Sequence, residues 1–315
     1  MRGSAARGAA VLGLGAHRPT LRVDNHEIAA RTGSSDTWIR ERSGIVTRGV
    51  ARDGESTVDM ATSAGAKALA AAGVDAAEVG LVLLATCSMP GPLPGGSPEV
   101  AHRLGAHAAG ASDIGAGCAG FTYALSMAAD AVRCGSAEHV LVIGSERLTP
   151  MVDQDDRATA FLFGDGAGAA VVGPADVDGI GRVAWAHDGE QHDALTIRDS
   201  LAMNGRAIYR WATTSLPDLA RRACANAGLE PSQLAALVPH QANLRITESV
   251  VKSLRLPDSV VVARDVIDSG NTSAASVPLA LTRLHEEGQV RTGDRVLLLG
   301  FGAGLTAAGQ VVRCP

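Results

Sequence analysis

The stretch SDIGAGCAGFTYALSMAADAV, residues 112–132, decides how the rest of the chain is read. Apolar residues recur at Phe121, Leu125, Ala128 and Val132, the three-to-four spacing of a helix packed along one face. Gly135 closes that helix in a position suited to left-handed backbone, and HVLVIG at 139–144 follows as a buried strand. Cys118 therefore falls at the helix start. Free amide N–H groups and the positive end of the helix dipole gather there, which predicts a lowered thiol pKa and a nucleophile. Small residues on both sides would let a substrate carbonyl approach, with backbone N–H groups left to receive an oxyanion. A buried structural cysteine is the competing reading.

The pattern returns later in the chain. AGVDAAEVGLVLL from Ala72 corresponds to AGLEPSQLAALVP from Ala227, at an offset of 155, and Cys118–Gly135 corresponds to Asn271–Gly288 at an offset of 153. HVLVIG matches RVLLLG at 295–300, and FGDGAGAAVVG at 163–173 matches FGAGLTAAGQVV at 301–312. Strands alternate with helices in both halves, so the expected class is α/β: a mainly parallel sheet flanked by helices, made twice. The expected division is 1–173, carrying the cysteine, and 174–315. Ligand sites collect at the carboxyl ends of such strands. The offset sets Asn271 opposite Cys118, and His240 follows strand AALV (235–238) at the same end.

Other segments fill the frame. Residues 1–10 read as a loose tail before VLGLG; 24–32, 57–72 and 244–254 read as helices, and 81–85 as a strand. The loop SMPGPLPGGSP at 88–98 is too rich in Pro and Gly for regular structure. Trp38 stands near Arg40, Arg42 and Arg48, a setting suited to stacking on a base; a core role is the plain alternative.

At 315 residues, 46% hydrophobic and 19% charged, the chain is an ordinary folded protein. A net charge of −5 argues against nucleic acid or anionic membrane as partner of the whole molecule, so an acidic partner needs a local basic patch. Five cysteines, odd in number and without CxxC spacing, argue for reduced thiols in a cytoplasm and against a disulfide scaffold or a metal site. The run AAVLGLGA is too short for a membrane span and lacks the flanks of a signal peptide.

The segments SSDTWIRERSGI (34–45), GCAGFTYALS (117–126), FGDGAGAAVV (163–172), VPHQANLRI (238–246), GNTSAASVPLAL (270–281) and FGAG (301–304) follow one another over nearly the whole chain. Together they resemble the ketoacyl synthases of the thiolase fold, most closely the β-ketoacyl-acyl-carrier-protein synthase III family. The resemblance implies a layered αβαβα architecture. It implies an acyl-Cys118 intermediate, formed from an acyl-CoA primer and condensed with malonyl-acyl carrier protein, with His240 and Asn271 acting on the malonyl group. Trp38, Arg42 and Arg157 would hold coenzyme A, with Asn243 supporting the site. Arg245 and Lys252, seven apart on one helical face, would dock the carrier protein; a solvated face is the plain reading. A homodimer is implied, and no cofactor beyond the coenzyme A thioester that serves as substrate.

The chemistry also follows from the residue types. A thioester on Cys118 stores an electrophile. The enolate left by loss of carbon dioxide needs donors that bring no competing acid, which a neutral imidazole and a carboxamide provide. The acyl carbonyl needs a second oxyanion site: the N–H of Cys118 and, by resemblance, that of Ala303. Ala303 interrupts the three glycines usual in the family at that place. Leu93 stands among Pro90, Pro92 and Pro94 where a familiar member closes its acyl pocket with Phe, so a reshaped pocket is expected. The alternative activity is acyl transfer to a carrier protein, alcohol or amine without condensation. GAGCAG also fits GxGxxG, but the preceding strand is weak and Cys118 would crowd a pyrophosphate. An α/β-hydrolase elbow fails because Ala116 precedes the cysteine by two and the later order is His then Asn.

Overall fold

The computed structural model describes residues 8–91, 93–197 and 201–315; Pro92 lies outside them. The first half contains β1 (Gly8–His17), β2 (Leu21–Asp24), α1 (Asn25–Thr32), α2 (Asp36–Ser43), β3 (Thr47–Val50), α3 (Thr57–Ala72), β4 (Val79–Ala85), α4 (Ser97–Leu104), β5 (Gly110–Ile114), α5 (Gly120–Arg133), β6 (His139–Glu146) and β7 (Gly166–Ala175). The second contains β8 (Ala184–His187), β9 (Leu195–Ile197), β10 (Leu201–Met203), α6 (Gly205–Asn226), β11 (Ala236–Pro239), α7 (Leu244–Leu254), β12 (Val261–Val262), α8 (Val266–Ser269), α9 (Ser276–Glu286), β13 (Arg295–Gly302) and β14 (Thr306–Arg313).

Local chemistry fixes several boundaries. Ser56 and Asp59 cap α3 reciprocally, and Gly73 ends it at φ 65°. Asn243 caps α7 by accepting from the Arg245 N–H. Of the expected tail, residues 1–7 lie outside the described residues, and residues 8–10 already belong to β1, in antiparallel register with β7.

Two five-stranded sheets carry the fold, in the orders β1-β7-β6-β4-β5 and β8-β14-β13-β11-β12. The same pairings recur in each: β4 is parallel to β5 and β6, as β11 is to β12 and β13, while β7 and β14 run antiparallel to both neighbours. The sheets are thus mixed rather than mainly parallel. A three-residue link from β13 to β14 permits only an antiparallel return.

Strand side chains alternate between two apolar layers. Val140 and Val142 of β6 enter the central core with α5 and α9, whereas Leu141 and Ile143 face α3 and α4. In β13, Val296 and Leu298 join that central core, and Leu297 and Leu299 face α6 and α7. Burial on both faces explains the unbroken apolar runs in the sequence. The result is the expected αβαβα layering. The expected division after residue 173 falls inside β7, which ends at Ala175.

One register differs from expectation. The 3-10 turns Gly117–Ala119 and Ser273–Ala275 open α5 and α9, with Gly117 at φ 51° and Ser273 at φ 47°. These turns are equivalent, so Cys118 matches Ala274, and Asn271 lies three residues earlier. The offset misled because α5 has 14 residues and α9 has 11, so the halves align at helix ends but not at helix starts.

Candidate active site

Cys118 sits in the tight turn between β5 and α5 and is 7% exposed. Gly302 lies against it: a Cβ there would stand 2.7 Å from the Cys118 nitrogen. Ala303 follows beside Gly117 with no positive φ, so its methyl group imposes no backbone strain. The thiol does not follow the expected lowering. Burial pushes it up to about 12, opposed by the Ser273 hydroxyl and reinforced by Glu146. Desolvation is the largest influence on this thiol.

A cavity of about 270 Å³ opens from Cys118. Leu148, Phe163, Leu195, Ile197 and Leu201 form its apolar wall, three of them from the β9–β10 hairpin, while Thr86, Cys87 and Ser273 form the other side. The sequence reading missed this hairpin, although LTI alternates as a short strand does. Leu93, expected in the acyl pocket, is 86% exposed and lines no part of the cavity. At that exposure Leu93 closes nothing within one chain.

His240 follows β11, its N–H donating to the Leu299 carbonyl at 2.8 Å. Its ring meets Phe301 edge-on at 4.9 Å, and Nδ1 lies 2.6 Å from Ser276 Oγ. Burial depresses its pKa to about 3, so the imidazole is neutral at ordinary pH. Asn271 is 7% exposed and held by its backbone to Leu162 and Gly164. Its Oδ1 accepts the Ser273 N–H at 2.9 Å, which orients the amide and leaves Nδ2 as the remaining donor. His240 and Asn271 are not among the residues lining the Cys118 cavity, and each is joined to Cys118 through intervening residues. Phe301 and Gly302 link His240 to Cys118, and Ser273 links Asn271 to Cys118.

Glu146 was not anticipated. It ends β6 and is fully buried, accepting from the Cys87 and Ala274 N–H groups at 3.1 and 3.4 Å, Thr86 Oγ1 at 3.2 Å and Cys87 Sγ at 3.2 Å. Burial raises its carboxyl above the usual range. Its place at a strand's carboxyl end was the available signal.

A second cavity, of about 640 Å³, is lined by Trp38, Arg42, Arg157, Tyr209, Asn243 and Arg245 among others. The guanidinium carbons of Arg157 and Arg42 lie 4.9 and 5.6 Å from the Trp38 ring centroid. Asn243 Nδ2 donates to the Arg42 carbonyl at 2.9 Å, tying α7 to α2. Arg245 packs over Tyr209 and, with Lys252 and Arg40, lines an adjoining groove of about 460 Å³. Tyr209 was missed, because an isolated tyrosine on a helix carries no motif. Among the described residues, no group of three or more His, Cys, Asp or Glu is placed to hold a metal ion. No described helix is long and apolar enough to cross a membrane.

Known proteins fit this geometry closely. The family described as 3-oxoacyl-[acyl-carrier-protein (ACP)] synthase III matches residues 112–189, and its C-terminal region matches 224–314. The chain is 46% identical to β-ketoacyl-[acyl-carrier-protein] synthase III 1 of Streptomyces coelicolor, over 98% of this chain and 96% of the relative. It is 45% identical to the mycobacterial β-ketoacyl-[acyl-carrier-protein] synthase III of Mycobacterium bovis, over 99% and 97%. Among solved structures, the priming β-ketosynthase of the R1128 polyketide biosynthetic pathway superposes with a TM-score of 0.97 at 45% identity, covering 100% of this chain and 98% of the other. The Aquifex aeolicus synthase III gives 0.93 at 35%, covering 97% and 100%. With family, relatives and fold in agreement, the chain belongs to the 3-oxoacyl-[acyl-carrier-protein] synthase III family, a class of acyl-transferring enzymes.

Proposed function

We propose that the enzyme takes an acyl group from an acyl-CoA onto Cys118 and condenses it with malonyl-acyl carrier protein, releasing carbon dioxide and a 3-oxoacyl-acyl carrier protein. The observation that carries this reading is a buried thiol at an apolar cavity, joined through Gly302 and Phe301 to a neutral imidazole and through Ser273 to an oriented carboxamide.

In the first half-reaction the Cys118 sulfur attacks the thioester carbonyl and coenzyme A leaves. The N–H groups of Cys118 and Ala303 receive the transient oxyanion. In the second, the malonyl thioester loses carbon dioxide, and its enolate oxygen is held by His240 and Asn271. We assign the Ser276 hydroxyl as donor to Nδ1, because its oxygen already accepts the Gln241 N–H at 3.3 Å. That leaves the imidazole proton on Nε2, and Asn271 Nδ2 is the second free donor. The enolate carbon then attacks the acyl carbonyl, and the Cys118 thiolate departs.

Trp38 and Arg157 would hold the adenine of coenzyme A, with Arg42 beside them and Asn243 near the pantetheine. Arg245 and Lys252 would dock the carrier protein. The halves act as one unit across their shared core, with the nucleophile in the first and the imidazole and amide in the second. A homodimer belongs to the same reading. Five free cysteines support a cytoplasmic setting. Acyl transfer without condensation is not favoured, since the similar proteins are β-ketoacyl-[acyl-carrier-protein] synthases III and a priming β-ketosynthase. Incubation with acyl-CoA and malonyl-acyl carrier protein tests the reading: equal amounts of carbon dioxide and 3-oxoacyl-acyl carrier protein support it, and acylated carrier protein without carbon dioxide refutes it.

A further inference from the structure

The turns opening α5 and α9 place Gly117 and Ser273 at equivalent positions, both in the left-handed region. Glycine is at ease there and serine is strained. The first half uses the relaxed residue, whereas the second keeps a serine that is 1% exposed. Its backbone N–H serves Asn271, a bond that glycine would make equally well. What the serine adds is its hydroxyl. That group stands 3.7 Å from Cys87 Sγ, and Ser273 lines the cavity at Cys118. Strain held at a reacting centre points to a use for the side chain that causes it.

We propose that Ser273 is a further catalytic residue, whose hydroxyl donates a hydrogen bond to the Cys118 sulfur while that sulfur carries negative charge. This rests on Cys118 being the acylated nucleophile. The charge appears twice: when the thiol attacks acyl-CoA, and when the thiolate leaves the condensing acyl group. In the first step the S–H bond breaks, the bond from sulfur to acyl carbon forms and the carbon–sulfur bond to coenzyme A breaks. The thiol proton passes to solvent, and the departing coenzyme A thiolate takes a proton from solvent. Ser273 keeps its own proton throughout. The other titratable groups around this sulfur do not supply such a donor. Glu146, at the end of β6, opposes the thiolate, Cys87 is a half-buried thiol directed at Glu146, and His240 after β11 carries its single proton towards the enolate and is not among the groups acting on this thiol. The Ser273 hydroxyl and the Cys118 backbone N–H act in the opposite direction, favouring the charged sulfur.

Ser273→Gly isolates the hydroxyl, because glycine keeps the N–H and suits the backbone. The midpoint temperature should hold or rise. Alkylation of Cys118 by iodoacetamide, followed at its own peptide so that Cys87 does not interfere, should shift to higher pH by about one unit. Acyl loading from acyl-CoA at neutral pH should fall about tenfold and be recovered by raising pH about one unit. Ser273→Ala should slow loading in the same way. An unchanged alkylation profile with wild-type loading overturns the proposal, and so does a lowered midpoint temperature with loading reduced equally at every pH. Failure of the wild-type protein to load would sink the condensing-enzyme reading instead, while the alkylation profile still decides the role of Ser273.

Discussion

At the start of α5, a left-handed glycine sets a cysteine against the end of β13; at the start of α9, a left-handed serine fixes the amide of the asparagine two residues before it. The backbone is the same and the chemistry differs. In the proposed mechanism one turn supplies a nucleophile and the other supplies a donor for developing negative charge. The comparison teaches that the repeated frame delivers geometry, and that single side chains placed on it divide the two half-reactions. Removing one side chain should therefore erase one half-reaction and leave the other standing.

Cys118→Ala is the largest break: no acyl-enzyme should form with any acyl-CoA, read by intact mass. Asn271→Ala and His240→Ala should still acylate, yet lose decarboxylation of malonyl thioester by about 10²–10³-fold, the cost of removing one oxyanion donor. Loss of acylation in both would merge the two turns into one function. Arg157→Ala touches neither turn. It should raise the KM for acyl-CoA by about three- to tenfold with kcat little changed, because a guanidinium stacked on an aromatic face contributes about 1 kcal/mol.

The smallest effect is in pH. His240 is depressed to about 3 from an ordinary 6.5, so the unfolded chain binds this proton at higher pH than the folded one. The stability this gives is fully present above about 6.5 and is lost as pH falls towards 3. His240→Gln should flatten that part of the stability curve in chemical denaturation. In the wild type, decarboxylation should show no imidazole limb near 6.5, because His240 stays neutral there.

Much of this was legible where a local rule suffices. The spans expected for α3 and α7 coincide with those found, since a cap and an apolar stripe mark each. The apolar runs of β6 and β13 announced strands buried on both faces. Cys118, His240 and Asn271 stood out because polar residues at element ends in a doubled α/β frame are few. What stayed hidden depends on distant segments. The β9–β10 wall of the cavity is a short hairpin that gains its place only by packing. Glu146 is informative only once its burial is known. The Cys118 thiol was expected low from its helix start, which is local, and lies high because of desolvation, which is collective. Leu93 is exposed and lines no part of the cavity, and a loop's exposure is not written in its proline content.

Single-turnover discharge is the most direct test of the division between the turns. Enzyme loaded with an acyl group, located on the Cys118 peptide by mass and freed of excess acyl-CoA, is mixed with malonyl-acyl carrier protein. Loss of the acyl mass from Cys118 together with one equivalent of carbon dioxide and of 3-oxoacyl-acyl carrier protein is the expected result. An acyl-enzyme that persists, or that yields its acyl group without carbon dioxide, would contradict it.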